Sequence, residues 1–314
     1  MVMGIRIPQR PSLMVGRFCI LGAALMWSSA GFLTKYPVFN NWTPEYRGIL
    51  FAFWRAMFVA LMLLPLVRRP RFRWALLPSG VAFGVMSAAY LSAAVLTTAT
   101  NAIWLQETSP WWVLLFGVLF LRERPQRADW VSLLCGTVGV ATILFFELRG
   151  VAAAIADGSV MQPGGVPTPV WGVGLGLISG IAYGGVVTAL RYLRDEPVVW
   201  LVFFNQAVVA LLFLPAVIAV GTLPSMKQTL FLVVFGVFQM GFPYLLMSYG
   251  LRTVRSLEAV MLAMLEPLLV PLWAWFGSGE VPAPWTLFGG AWILVGLLLH
   301  GISHAKPVLV VKRL

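Results

Sequence analysis

Charge is scarce in this chain: Asp, Glu, Lys and Arg make up 11% of its 314 residues while 60% are hydrophobic, against about 25% charged in an ordinary soluble domain. A water-soluble globule is excluded. Cysteine is nearly absent. Cys19 and Cys135 both fall inside apolar runs with no metal or redox spacing, so they read as small packing residues. Histidine is equally rare: His300 and His304 stand four apart at the end of the last apolar run, and without a third ligand nearby they make a poor metal site. No GxxxxGK[ST] loop occurs, which removes ATP hydrolysis. Nor is there a cluster of paired Asp or His-x-x-x-Asp at one membrane face, as a membrane enzyme would need, so no enzymatic activity and no cofactor is expected. Acidic residues number 11 against 22 basic ones, a net charge of +11. In a soluble protein that excess would suggest nucleic acid, but here the cations sit in short clusters between apolar runs, where they act as topology signals.

Apolar runs lie at about 18–34, 48–67, 74–96, 100–121, 128–146, 171–190, 198–219, 229–250, 257–276 and 284–302. The expectation is an all-α membrane protein of ten transmembrane helices. Residues 147–170, with Gly150, Gly158, Pro163, Gly164, Gly165, Pro167 and Pro169, read as a linker that cannot span a bilayer. The organisation expected is therefore a first five-helix unit at 1–146, an external linker at 147–170, and a second unit with a tail at 171–314. Alternate connectors differ sharply in charge, with 17 Lys and Arg on the side of the termini and four (Lys35, Arg47, Arg149, Lys227) on the other. Both termini are thus expected in the cytoplasm, and the chain in a cytoplasmic (inner) membrane. A competing reading makes the first run a cleaved signal peptide ending at Ser28-Ser29-Ala30; it would leave nine spans and destroy the internal symmetry.

That symmetry is visible residue by residue. Phe53, Val59, Ala60, Leu61, Leu64, Pro65 and Val67 recur 150 positions later as Phe203, Val209, Ala210, Leu211, Leu214, Pro215 and Val217. At an offset of 157, Gly84, Ala102, Leu105, Pro110, Val113 and Glu123 recur as Gly241, Ala259, Leu262, Pro267, Val270 and Glu280. Because five is odd, the second copy of a five-helix unit enters the membrane from the opposite face, giving inverted-topology repeats, the usual architecture of secondary transporters.

Each half closes with a helix carrying a mid-span Pro, a short turn with Glu-x-Pro, and a Gly-bearing final helix. The second copy reads LEPLLVPLWAWFGSGEVPAPWTLFGGAWILVGLLL from Leu265, and the first runs from Gln106 to Leu144, with Arg122 where the second has the Gly before Glu280. With Arg55 in the second helix and Trp27 in the first, this pattern resembles the EamA-type members of the drug/metabolite transporter superfamily over about 17–304. The resemblance implies a ten-helix exporter or importer of amino acids, small metabolites, nucleotide-sugar-like compounds or drugs.

Three ionisable groups lie inside apolar runs: Arg55, Glu107 and Glu266. Each costs about 2.5–3.5 kcal/mol at the centre of a span even on a lenient scale, so each needs a partner, a wet cavity or a proton. Arg55 and Glu107 each fall seven residues, about 10 Å, into a run from the outer side. Equal depth and opposite charge suggest either a structural ion pair or a Glu107 that exchanges its partner for a proton or substrate. Glu266 has no cation at its depth, since the repeat mate of Arg55 is Asn205; it is either a coupling site or a neutral group bonded to a carbonyl freed by Pro267. Trp27 and Tyr183 occupy matched midplane positions among small residues. Asn101, Gln106, Gln206 and Ser248 add polar groups at similar depth, and Gln239 stands out because Pro243 follows it by one turn. Glu123 and Glu280, at connectors, read as structural partners of nearby Arg.

The candidate substrate-binding residues are therefore Trp27, Ser28, Arg55, Trp104, Glu107, Tyr183, Asn205, Gln239, Tyr244 and Glu266, with Glu266 and Glu107 as candidate coupling residues. The function expected is a secondary transporter, a monomer or homodimer, that exports a small organic solute by alternating access with the proton as candidate coupling ion. An uncoupled facilitator, and a membrane enzyme or receptor on the same scaffold, are the alternatives. Arg55 would suit an anion, whereas the two carboxylates and the aromatics would suit a cation, and these cues cancel.

Overall fold

The computed structural model describes residues 11–30, 36–96, 99–156, 168–278 and 284–305, and among them every regular element is helical. In chain order these are α1 (Leu13–Trp27), α2 (Pro44–Leu63), α3 (Leu76–Leu96), α4 (Ala99–Gln106), α5 (Ser109–Phe116), α6 (Arg127–Ala156), α7 (Thr168–Tyr192), α8 (Val198–Val220), α9 (Met226–Gly236), α10 (Phe242–Gly250), α11 (Ser256–Ala263), α12 (Leu265–Ser278) and α13 (Pro284–Ala305). Six rods are long and apolar enough to cross a membrane: Pro44–Leu66, Leu76–Leu96, Asp129–Gly150, Trp171–Tyr192, Val198–Val220 and Met226–Gly250. The chain is a multi-pass helical membrane protein.

Several runs that read as single helices carry interruptions. The run at 100–121 breaks at Glu107 and Thr108, and its counterpart at 257–276 breaks at Met264, 157 positions later. In each, a proline three residues on (Pro110, Pro267) removes the amide that would bond the carbonyl four residues back, and its ring crowds that carbonyl. Wide π turns occur at Gly117–Leu121, later in the first of these runs, and at Val237–Gly241, within the run at 229–250. The first ends on Arg122 in the left-handed region (φ 54°), where Glu123 N–H closes onto Gly117 O at 3.1 Å. The linker also begins later than its composition suggested. Helix α6 continues ten residues past 146, because Ala152, Ala153 and Ala156 favour helix and the Gly and Pro residues only accumulate from Gly158. Residues 157–167, and with them Gly158, Pro163, Gly164, Gly165 and Pro167, lie outside the described residues, as does Glu280.

Packing joins the halves throughout. Helix α3 lies along α7 and α1 along α10; α2 crosses α8, and α6 pairs with α13. Small residues on α7 allow the close approach of the broken α4–α5 rod: a Cβ on Gly180 would collide with Thr108 Oγ1 and come within 3.0 Å and 3.1 Å of the carbonyls of Leu105 and Gln106. Burial follows composition. Helix α3, the least apolar of the six long rods, is 72% buried over its hydrophobic window, whereas the most apolar, α8, is only 33% buried and faces outward.

Candidate functional site

Where the helices converge they line a cavity of about 30 Å³, the space of one or two water molecules. Both halves build it. The first supplies Trp27, Arg55, Met86, Ser87, Tyr90 and Gln106; the second supplies Tyr183, Gln239, Met240, Tyr244 and Glu266.

Four of the eleven lining residues, Trp27, Tyr90, Tyr183 and Tyr244, are aromatic. Trp27 meets Tyr183 edge to face with ring centroids 6.4 Å apart and lies 4.7 Å from Tyr244, which packs in turn on Phe83 at 4.6 Å. Tyr244 O–H points at Met86 Sδ, 3.3 Å away. The indole N–H of Trp27, the hydroxyls of Tyr90 and Tyr183, and Nε of Arg55 are buried without a hydrogen-bond partner among the described residues. Glu266 is 5% exposed and makes no hydrogen bond or ion pair with any described residue. Buried polar atoms are ordinarily satisfied.

The wide turn at Val237–Gly241 aims Gln239 into this space, and Pro243 withholds the amide that would otherwise bond Gln239 O. Gln239 Oε1 accepts from Nη1 of Arg55 at 2.8 Å while its Nε2 faces Trp27 O at 3.4 Å. Arg55 completes its contacts through Nη2 to Ser87 Oγ at 3.1 Å and by lying over the Phe235 ring at 4.6 Å.

The expected pairing of Arg55 with Glu107 does not form. Depth along two helices says nothing about azimuth: Arg55 leaves α2 toward α3 and the wide turn, whereas Glu107 sits in the break of the α4–α5 rod facing α6 and α11. Glu107 is 4% exposed.

The remaining candidates stand apart from the cavity wall. Ser28 accepts from Trp273 Nε1 at 2.7 Å and donates to Leu25 O at 2.7 Å, a packing role between α1 and α12. Trp104, Asn205, Gln206 and Ser248 are buried, each with at least one polar atom that has no partner among the described residues, outside the lining of this space. The side chain of Asn101 is not among the described residues. Ser87, Tyr90, Met86 and Met240 are wall residues that the sequence analysis did not name; for the three on α3 the signal was that helix's low apolarity, which marks a helix turned away from lipid.

Above the cavity, at the face carrying the Lys and Arg clusters, four ion pairs link the first half to the second: Arg17–Glu258 at 2.6 Å, and Arg73–Glu196, Arg191–Glu123 and Arg255–Asp129 each at 3.3 Å. Glu123 thus has the structural role its connector position suggested. At the opposite face Gln228 of α9 donates to Val38 O and Asn41 Oδ1 at 2.9 Å and 2.7 Å, beside a cluster of Phe39, Phe51 and Phe231.

Comparison with known proteins agrees with this architecture. A solved crystal structure superposes on 92% of this chain and 98% of its own with a TM-score of 0.69 at 19% identity, which shows a shared fold. An uncharacterized transporter of Archaeoglobus fulgidus is 28% identical over 215 residues, 68% of this chain and 70% of the relative. Residues 14–145 and 170–302 each match the EamA-like transporter family. Two matched copies cover most of the sequence, and the chain belongs to the EamA-like transporter family, a group of membrane transporters.

Proposed function

We propose that this protein is a secondary transporter that exports a small organic solute across the cytoplasmic membrane by alternating access, with both termini in the cytoplasm and Glu266 as the group that couples movement to protons. The observation that carries the reading is the cavity itself: both halves wall it, and a carboxyl and several buried donors with no partner among the described residues gather around it.

Ten crossings in two inverted units make such a cavity openable from either side. The contact pattern supports that reading. In the five-plus-five numbering, α3 on α7 is span 3 on span 6, and its symmetry mate, span 8 on span 1, is α10 on α1. The pairs α2 with α8 and α6 with α13 are each their own mates. The broken rods α4–α5 and α11–α12 supply spans 4 and 9, each resting on the other half's first helix, α7 and α1. Units 1–146 and 171–314 related by a two-fold axis in the membrane plane account for all of these contacts.

Glu266 is suited to coupling because a buried carboxyl without a cation partner is tolerated in its protonated form and must be compensated when ionised. Counter-flow in proteoliposomes against a panel of amino acids, sugars, organic acids and organic cations tests the reading. The expected result is exchange of one class, with uptake driven by an imposed pH gradient. Exchange that ignores the gradient would make the protein an uncoupled facilitator; absence of exchange across the whole panel would overturn the proposal.

A further inference from the structure

A second cavity, about 170 Å³, lies between the α4–α5 break, α6 and the α11–α12 break, with Trp111, which is 43% exposed, at its edge. Its walls are almost wholly apolar, with Leu133, Val140, Leu144 and Met264 prominent. The polar groups it contains are nearly all engaged. Thr108 Oγ1 donates to Leu105 O at 3.0 Å, Thr137 Oγ1 donates to Leu133 O at 2.7 Å, and Trp111 Nε1 donates to Thr137 Oγ1 at 2.8 Å. One is not. The Glu107 carboxyl, buried at 4% exposure, has no hydrogen bond or ion pair with any described residue.

We propose that this crevice is a binding site, separate from the central cavity, for a monovalent organic cation with an apolar body, whose ammonium group donates to Glu107. A lone carboxylate in an apolar wall is costly until a cation with N–H donors reaches it, and a ligand with one charged end and one ring or short chain matches a site with one polar group. Size agrees, since a cavity of about 150 Å³ accepts benzene. The two cavities are divided by a single step of the chain: Gln106 lines the central space and Glu107 the lateral one.

Equilibrium binding to the purified protein, without a gradient, tests this independently of transport. The probes are phenethylamine, its neutral analogue 2-phenylethanol and its anionic analogue 3-phenylpropionate, read by calorimetry in detergent. Phenethylamine is expected to bind at least tenfold more tightly than either analogue. Glu107→Gln should abolish that preference. Ala141→Trp, on a wall position that is itself exposed and so tolerant of size, should block the crevice and weaken phenethylamine at least tenfold while the protein stays monodisperse. Equal binding of 2-phenylethanol would mean that the crevice holds any apolar chain, including a lipid acyl chain, and would overturn the proposal. So would no binding of phenethylamine, binding unchanged in either variant, or binding lost in Glu266→Gln but kept in Glu107→Gln, which would place the amine in the central cavity.

Discussion

Trp27 and Tyr183, at matched positions in the two halves of the chain, touch edge to face at the centre of the protein, with ring centroids 6.4 Å apart and planes at 87°. Residues equivalent by internal repetition meet only where the symmetry axis passes between them. That contact therefore marks where the proposed two-fold axis runs, and the central cavity surrounds it.

Arg55 is held by Gln239 and Ser87 and makes no contact with Glu107, which a double-mutant cycle can resolve. Arg55→Leu and Gln239→Leu should couple strongly, by about 1.5–3 kcal/mol, because each single change leaves a buried partner unsatisfied. Arg55→Leu and Glu107→Gln should add within about 0.5 kcal/mol. Stability of the purified variants toward heat is the measurement; strong coupling in the second cycle would restore the ion pair.

The proposed cytoplasmic face is latched by ion pairs that all cross between the halves. Glu258→Gln removes the 2.6 Å pair with Arg17. Partly buried as it is, its loss is expected to shift the balance between closed and open forms by about 1 kcal/mol, roughly fivefold in population. A cysteine replacing Tyr90 in the cavity wall should then react several-fold faster with a membrane-impermeant thiol reagent supplied from that face. The charge swap Arg17→Glu with Glu258→Arg should bring the rate back, and an unchanged rate in Glu258→Gln would show that the latch does not hold the gate.

Arg122 occupies a left-handed turn that suits glycine, and the second copy has Gly279 at the matched position. Arg122→Gly should therefore raise stability toward heat by about 1 kcal/mol, the cost of left-handed backbone for a residue with a Cβ. A loss of stability would mean that the guanidinium makes a contribution larger than the strain.

Glu266→Gln separates binding from coupling. A permanently neutral group can neither take up nor release a proton, so exchange of substrate at equal pH should persist while uptake driven by a pH gradient falls to the level of the unenergised control. Gradient-driven uptake at the parent rate would remove Glu266 from the coupling role.

Periodicity, charge and internal repetition made the helical membrane class and the family legible, because those depend on composition along the chain. The cavity was legible only in part. Trp27, Arg55, Gln106, Tyr183, Gln239, Tyr244 and Glu266 could be found because a polar or bulky group deep in a span is costly unless it faces inward. Tyr90 and Ser87 gave no such signal, being ordinary residues on a helix whose inward position shows only in its reduced apolarity. The pairing of Arg55 failed for a different reason. Rise per residue fixes depth, but which way a side chain leaves its helix depends on how the helices are rotated against one another, and the π turn that brings Gln239 to Arg55 has no signature in a hydrophobic pattern.

The central claim, a site between two inverted halves that opens alternately, requires the connector after the second helix and the linker between the halves to lie on opposite sides of the membrane. Single cysteines replacing Arg71 and Gly158, in a background with Cys19→Ser and Cys135→Ala, test it in intact cells with a membrane-impermeant maleimide. The account predicts that Gly158→Cys is labelled from outside and that Arg71→Cys is labelled only after the membrane is opened; labelling of both from the same side would contradict it.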